Sequence, residues 1–137
     1  MPSVIARAQR RLLLRCPEAR ATVDGSCLEV APGEPDGFTV RIRAGRRASI
    51  VEFDDGWHRR FDREEDALDC FEFGLSAACR LAVEYRGDRA VAWTVEAREF
   101  GCWVPHRRIA VWFVPFWRRR RLAYRQNRFP FVDPVGP

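Results

Sequence analysis

Aromatic and arginine residues follow one another closely in the C-terminal third of the chain. Residues 110–117 read AVWFVPFW, and four consecutive arginines follow at once. Aromatic rings stack on bases while guanidinium groups bind phosphates, so this pattern is typical of surfaces for single-stranded nucleic acid. The same residue types are enriched in protein-binding hot spots and in segments that lie on membrane surfaces. The candidate binding residues are Trp112, Phe113, Phe116, Trp117, Arg118, Arg119, Arg120, Arg121, Tyr124 and Arg125.

The same run also has a structural interpretation, in which residues 109–117 pack on a sheet and the arginines are the solvated end of that strand. Eight successive apolar residues cannot all face one side of a strand, because side chains alternate between its two faces. We therefore expect some of the four aromatic residues in the run to be exposed or covered by another chain. Exposed apolar patches commonly mark interfaces, and a second copy of the chain is the simplest partner.

The favoured function is therefore that of a non-catalytic protein-binding module with its contact surface in residues 103–129. Its partner would be another protein or a second copy of the chain, which would form a homodimer. The alternative is a nucleic-acid-binding protein that uses Arg118 to Arg121 and the flanking aromatic residues.

Carboxylates and a histidine form a second group of residues that could do chemistry. Seven acidic residues lie between positions 54 and 69, and His58 lies among them. Paired carboxylates act as general acid and base when burial separates their pKa values. Here the carboxylates fall at a turn and at the start of a predicted helix, where solvated capping explains them, and His58 has no visible partner. An enzyme with carboxylate and histidine chemistry is the second alternative, and we assign no catalytic residue.

The five cysteines and two histidines lack the spacing of a metal site. Cys102 and His106 form one half-site, and no second half is visible. Ser76 falls inside a predicted helix, which does not fit the strand–turn–helix corner of a hydrolase nucleophile. The chain has no phosphate-binding loop and no dinucleotide fingerprint. We therefore expect no metal site and no cofactor, and the scattered thiols indicate a reducing, cytoplasmic location.

Charge divides the chain into three parts. Residues 1–23 carry five arginines and one acid, residues 24–99 carry 11 arginines and 17 acids, and residues 100–137 carry eight arginines and one acid. All 24 basic residues are arginine, a bias that indicates a GC-rich bacterial genome more than a need to bind phosphate. The basic ends are either interaction arms or segments that fold back on the acidic middle.

Hydrophobic periodicity predicts a single α+β domain over residues 1–137. Apolar residues recur at helical spacing near residues 3–15 and 63–79, and alternating strands lie between and after them. The expected fold is an antiparallel sheet with both helices packed on one face, in the order α-β-β-β(-β)-α-β-β. Its core should include Val40, Ile42, Phe53, Trp57, Phe61, Leu68, Phe71, Leu75, Val83, Trp93 and Val95. An N-terminal helical region, 1–20, and an aromatic, arginine-rich segment, 100–137, complete the chain. No apolar run approaches the roughly 18 residues of a membrane span, so we expect no transmembrane segment.

Overall fold

Two helices and nine strands follow one another in residues 2–131, the part of the chain that the computed structural model describes. Met1 and residues 132–137, at the end of the predicted C-terminal segment, lie outside the described residues. The elements are α1 (Ser3–Arg15), β1 (Ala21–Asp24), β2 (Cys27–Val30), β3 (Val40–Ala44), β4 (Ser49–Phe53), β5 (Trp57–Phe61), α2 (Glu64–Leu75), β6 (Cys79–Arg86), β7 (Arg89–Glu99), β8 (Cys102–Ala110) and β9 (Arg120–Arg125).

The strands form two antiparallel sheets. The first sheet has the order β1-β2-β3-β4-β5, in which each strand pairs with the next along the chain. The second sheet has the order β8-β7-β6-β9, so the last strand returns to lie beside β6. The α+β class with antiparallel pairing is confirmed, and α2 separates the strands of one sheet from those of the other.

Both helices pack on the inner face of the first sheet. On α1, Val4, Ile5, Ala8 and Leu12 are buried, as the predicted amphipathic spacing requires. Alternate residues of β2, β3 and β4 meet them, and one hydrophobic cluster continues into β6 and β7 of the second sheet. Of the predicted core residues, Phe61 is half-buried at the edge of the core. The others are buried, namely Val40, Ile42, Phe53, Trp57, Leu68, Phe71, Leu75, Val83, Trp93 and Val95.

The second helix ends at Leu75, four residues before its predicted end at 79. Ser76 is the reason, because its hydroxyl donates to the Phe73 carbonyl (2.8 Å) and accepts from the Ala78 N–H (3.2 Å). Such local side-chain bonds offer the backbone an alternative to another helical turn. Gly74 lies against the ring of Phe53, where a Cβ would overlap the ring atoms, so the glycine permits this close contact.

The region predicted only as an aromatic, arginine-rich segment contains β8 and β9. Its last described part, residues 126–131, returns to the core through Asn127. The buried Asn127 amide accepts from the Phe38 N–H (3.2 Å) and donates to the carbonyls of Phe38 (3.0 Å) and Gly74 (3.1 Å). The C-terminal segment is thus attached to the fold at both ends of β9.

Candidate interaction surface

Four aromatic rings project from the loop between β8 and β9, residues 111–119, which we call the aromatic loop. Trp112 is 96% exposed, Phe116 73%, Trp117 63% and Phe113 49%. The rings contact one another, with centroids 5.8 Å apart for Trp112 and Phe113, 5.9 Å for Phe113 and Trp117, and 5.4 Å for Phe116 and Trp117. We expected some of these rings to be exposed, and all four are. They form one contiguous cluster.

Backbone contacts hold the aromatic loop across the tip of the β6–β7 hairpin. The Val111 N–H donates to the Val91 carbonyl (2.8 Å), and the Gly87 N–H donates to the Arg119 carbonyl (2.9 Å). The Arg86 guanidinium donates to the carbonyls of Phe116 (3.4 Å) and Arg118 (3.3 Å) from beneath the loop. The rings face solvent although the backbone that carries them is anchored.

The predicted run of arginines divides into one paired residue and several unpaired ones. Arg120 lies 3.2 Å from the Glu84 carboxylate. Within residues 2–131, Arg118, Arg119, Arg121 and Arg125 have no acidic side chain within ion-pair distance. The Arg121 guanidinium lies 4.3 Å from the centroid of the Tyr85 ring, a cation–π contact that leaves its charge unneutralised. A cluster of positive charge therefore adjoins the aromatic loop.

The outer face of the second sheet carries a group of charged residues that the sequence analysis did not single out. Glu84 is 9% exposed and lies within 4.0 Å of Arg86, Arg108 and Arg120 on three different segments. Alternation in β6 places Arg80, Ala82, Glu84 and Arg86 on one face, a pattern visible in the sequence. Only the pairing of β9 with β6 brings Arg120 to this face, and that pairing is not local in sequence.

The candidate Tyr124 also lies on this outer face. The Arg80 guanidinium lies between two rings, 4.1 Å from the centroid of Tyr124 and 4.7 Å from that of Trp103, and it pairs with Glu96 at 2.5 Å. Tyr124 is 48% exposed. An exposed aromatic and cationic stripe thus continues from the aromatic loop along β9.

Four of the seven carboxylates between positions 54 and 69 bond other parts of the fold, namely Asp54, Asp55, Glu64 and Glu65. Glu64 and Glu65 pair with Arg7 of α1, and the Asp54 carboxylate accepts from the Trp93 indole N–H (2.9 Å). His58 is exposed on β5, and the structure brings it to none of these carboxylates by a hydrogen bond. The residues named for the enzyme alternative are therefore not assembled into one site.

Arginines of the two basic ends do return to the acidic middle in places. Arg7 and Arg11 pair with acids of α2, and Arg128 pairs with Glu34 (2.6 Å) and Asp36 (3.1 Å). The Arg128 guanidinium holds the pKa of the Asp36 carboxyl below its usual value. The structure thus supports folding back for these residues and leaves the arginines beside the aromatic loop unpaired.

All five cysteines are free, and they differ in burial. Burial raises the pKa of Cys16 to about 11 and that of Cys70 to about 12, which keeps both thiols protonated at neutral pH. Cys102 is exposed, and the nearby His106 contacts Glu99 across the β7–β8 hairpin. Among residues 2–131, three or more histidine, cysteine or acidic side chains nowhere come together as metal ligands would.

No protein-family model, curated protein or solved structure matches the chain. None of the helices in residues 2–131 combines the length and apolarity needed to cross a membrane.

Proposed function

We propose that the protein is a non-catalytic binding module of the bacterial cytoplasm, with a protein-contact surface in residues 103–129 centred on the aromatic loop. The observation that carries this proposal is the cluster of four exposed, mutually contacting aromatic rings. The bacterial cytoplasm is supported by the complete preference for arginine and by five cysteines that are all free.

Covering the aromatic loop would release a large amount of free energy. Burying one Trp or Phe side chain contributes about 1.5–3 kcal/mol, and Trp and Arg are enriched among the residues that dominate binding energies. Arg118 and Arg119 follow Trp117 directly in the chain, so both residue types are present in the aromatic loop. Either a second copy of the chain or a different protein would provide the apolar cover.

Nucleic acid binding is the second candidate, and the unpaired arginines favour it. Arg118, Arg119 and Arg121 lack acidic partners within residues 2–131 and lie beside exposed rings. Phosphates would neutralise these charges while bases stack on the rings. The two candidates differ in their response to salt, because phosphate contacts release counterions and aromatic contacts do not.

Light scattering at low and high salt, with and without a random single-stranded oligonucleotide, tests the proposal. A dimer or larger assembly whose mass is unchanged by salt and by the oligonucleotide supports a protein contact. A monomer that binds the oligonucleotide, and loses it in high salt and when Arg118 to Arg121 are changed to Ser, replaces the proposal with the nucleic-acid candidate. A monomer at all concentrations that does not bind the oligonucleotide excludes self-association and restricts the contact to a different protein.

A pair of matched variants assigns any assembly to the aromatic loop. Trp112→Ser with Phe116→Ser removes two exposed rings of the cluster, whereas Phe100→Ser removes an equally exposed ring from the β7–β8 turn. The proposal predicts that the double variant dissociates the assembly and that Phe100→Ser leaves it intact. Equal effects of the two changes would contradict the placement of the contact surface.

A further inference from the structure

The free edge of β9 offers a second kind of contact, made by the backbone. In the second sheet β9 is the terminal strand and pairs only with β6 within residues 2–131. The Gly87 N–H bonds the Arg119 carbonyl, and the register therefore directs the N–H and C=O groups of Arg121, Ala123 and Arg125 toward β6. The backbone groups of Arg120, Leu122 and Tyr124 consequently point away from the sheet.

The next backbone N–H that points away from β6 has a hydrogen-bond partner, whereas those of Arg120, Leu122 and Tyr124 have none within residues 2–131. The Gln126 N–H, which follows in the same alternation, donates to the Asp36 carbonyl at 2.8 Å. No backbone partner within residues 2–131 bonds the outward groups of Arg120, Leu122 or Tyr124. The open edge therefore has a defined length of three alternate residues.

Strand β8, at the opposite edge of the same sheet, has features that hinder the addition of another strand, and β9 lacks them. Strand β8 contains Pro105, its pairing with β7 is interrupted by a bulge, and its Arg107 carbonyl accepts from the Trp57 indole N–H (3.3 Å). Proline and bulges are common devices that prevent strand addition. The pairing of β9 with β6 has neither device and no shift of register. The three arginines of β9 discourage pairing with another basic strand but not with an acidic one.

Side-chain chemistry along β9 differs between its two faces. Leu122 and Tyr124 are 40% and 48% exposed on the outer face of the sheet. Arg121 and Arg125 lie on the other face, and no acidic side chain within residues 2–131 forms an ion pair with either. A strand added at this edge would therefore carry apolar residues on the outer face and acidic residues on the face of Arg121 and Arg125.

Charge argues against a second copy of β9 as the added strand. Residues 118–125 contain five arginines, and Glu84 is the one acidic side chain within residues 2–131 that pairs with any of them. Symmetric pairing of two such strands would bring two sets of unneutralised guanidinium groups together, and like charges opposite each other destabilise a sheet. The edge is complementary to an acidic strand.

We propose that β9 accepts an extended acidic segment of a partner protein as an additional antiparallel strand of the second sheet. This proposal rests on the proposed function and specifies the partner. Apolar residues of the segment would lie opposite Arg120, Leu122 and Tyr124 and bond their backbone groups, while intervening Asp or Glu residues would face Arg121 and Arg125. Main-chain bonds would supply affinity and the alternating side chains specificity.

A synthetic ten-residue peptide in which Val alternates with Glu is the probe, and its binding to the full chain is measured by calorimetry. Residues directly opposite each other share a face, so the Val N–H groups should bond β9 and the Glu N–H groups should point away. N-methylation of the Val nitrogens is expected to weaken binding at least about tenfold, because each methyl removes a hydrogen bond. N-methylation of the Glu nitrogens is the matched control and should change binding less than about threefold.

A variant pair tests the same edge from the side of the protein. The Leu122 N–H points outward, so Leu122→Pro removes it without removing a bond to β6, whereas Leu122→Ala shortens the side chain and keeps the N–H. We expect Leu122→Pro to abolish peptide binding and Leu122→Ala to retain most of it. Should Leu122→Pro fail to fold, the two N-methylated peptides on the unaltered chain still decide the question.

Several outcomes would overturn the proposal. These are no binding of the Val–Glu peptide, equal binding of a peptide with Lys in place of Glu, and equal effects of the two N-methylated peptides. Binding of a single-stranded oligonucleotide that displaces the peptide and is unaffected by Leu122→Pro would identify the basic edge as a nucleic-acid surface instead.

The failure of this proposal can be told apart from the failure of the proposed function. Loss of assembly in the Trp112→Ser, Phe116→Ser variant with peptide binding retained would separate this proposal from the role of the aromatic loop.

Discussion

The two basic ends of the chain use the same residue types in opposite ways. On α1 the arginines Arg7 and Arg11 pair with acids of α2, and apart from Leu13 and Leu14 the helix buries its large aliphatic residues. In the aromatic loop the rings are exposed, and Arg118 and Arg119 have no acidic partner within residues 2–131.

The difference follows from spacing and from what lies opposite. Apolar residues of α1 recur every three or four positions and so share one face, which a sheet and α2 can cover. Residues 110–117 are apolar without interruption, and in the described part of the chain no acidic helix pairs with Arg118 or Arg119. Composition alone would have grouped the two ends together, whereas the structure buries the apolar face of α1 and leaves the rings of the aromatic loop exposed.

Truncating one buried and one exposed aromatic residue gives the largest expected contrast. Phe71→Ala removes a fully buried ring of α2 and should lower the free energy of unfolding by about 3–5 kcal/mol. Trp112→Ala removes a ring that is 96% exposed and should change the free energy of unfolding by less than about 0.5 kcal/mol. Urea denaturation of the dilute protein measures both, and a loss above about 1 kcal/mol for Trp112→Ala would place this ring in the protein's own core.

Asn127→Ala tests which part of the C-terminal segment belongs to the fold. The change leaves the buried N–H and C=O groups of Phe38 and the Gly74 carbonyl without this partner, and we expect a loss of about 2–3 kcal/mol. Gln126→Ala, whose amide donates to the Ala77 carbonyl at an exposed position, is the control and should cost less than about 1 kcal/mol. Similar values for the two variants would show that Asn127 does not anchor the segment.

Gly74→Ala should destabilise the protein although alanine is the better helix former. Alanine would gain about 1 kcal/mol of helix propensity, but its Cβ would overlap the Phe53 ring. Overpacking of this kind leads us to expect a net loss of about 1–2 kcal/mol. In a Phe53→Leu background the loss should shrink, and a double-mutant cycle with no coupling would refute the close contact.

The smallest expected effects come from single arginines. Arg7→Ser breaks half-exposed ion pairs with Glu64 and Glu65 and should lower stability by about 0.5 kcal/mol at low salt, with less effect at high salt. Arg119→Ser breaks no ion pair within residues 2–131 and should leave stability unchanged. Thermal unfolding in both salt conditions compares them, and an equal, salt-dependent loss for Arg119→Ser would show that this arginine has a structural partner after all.

Local periodicity was sufficient to predict α1, most of α2 and the β6–β7 hairpin, because each buries one face that recurs at a fixed spacing. It did not predict β8, whose alternation is interrupted by Pro105 and a bulge, or β9, which carries arginines on both faces. The end of α2 was placed too late, because the bonds made by Ser76 compete with the helix.

The candidate surface was predictable only in part for a related reason. An apolar run of eight residues cannot be buried on one face of a strand, so the exposure of its rings followed from the sequence. The edge of β9 and the charged group around Glu84 both depend on the pairing of β6 with β9. Strand β6 ends at Arg86 and β9 begins 34 positions later, at Arg120. Such pairing is set by the whole fold and not by local pattern.

Oxidative footprinting of aromatic side chains, in cells of the source organism and in dilute purified protein, measures whether the aromatic loop is covered by a partner. Three residues are controls. Trp57 and Trp93 are buried by the fold and should oxidise slowly in both samples, whereas Phe100, fully exposed on a turn away from the aromatic loop, should oxidise rapidly in both. We expect Trp112 and Trp117 to be oxidised rapidly in the purified monomer and to be protected several-fold in cells. Equal, rapid oxidation of Trp112 and Trp117 in both samples would contradict the assignment of the aromatic loop as a contact surface.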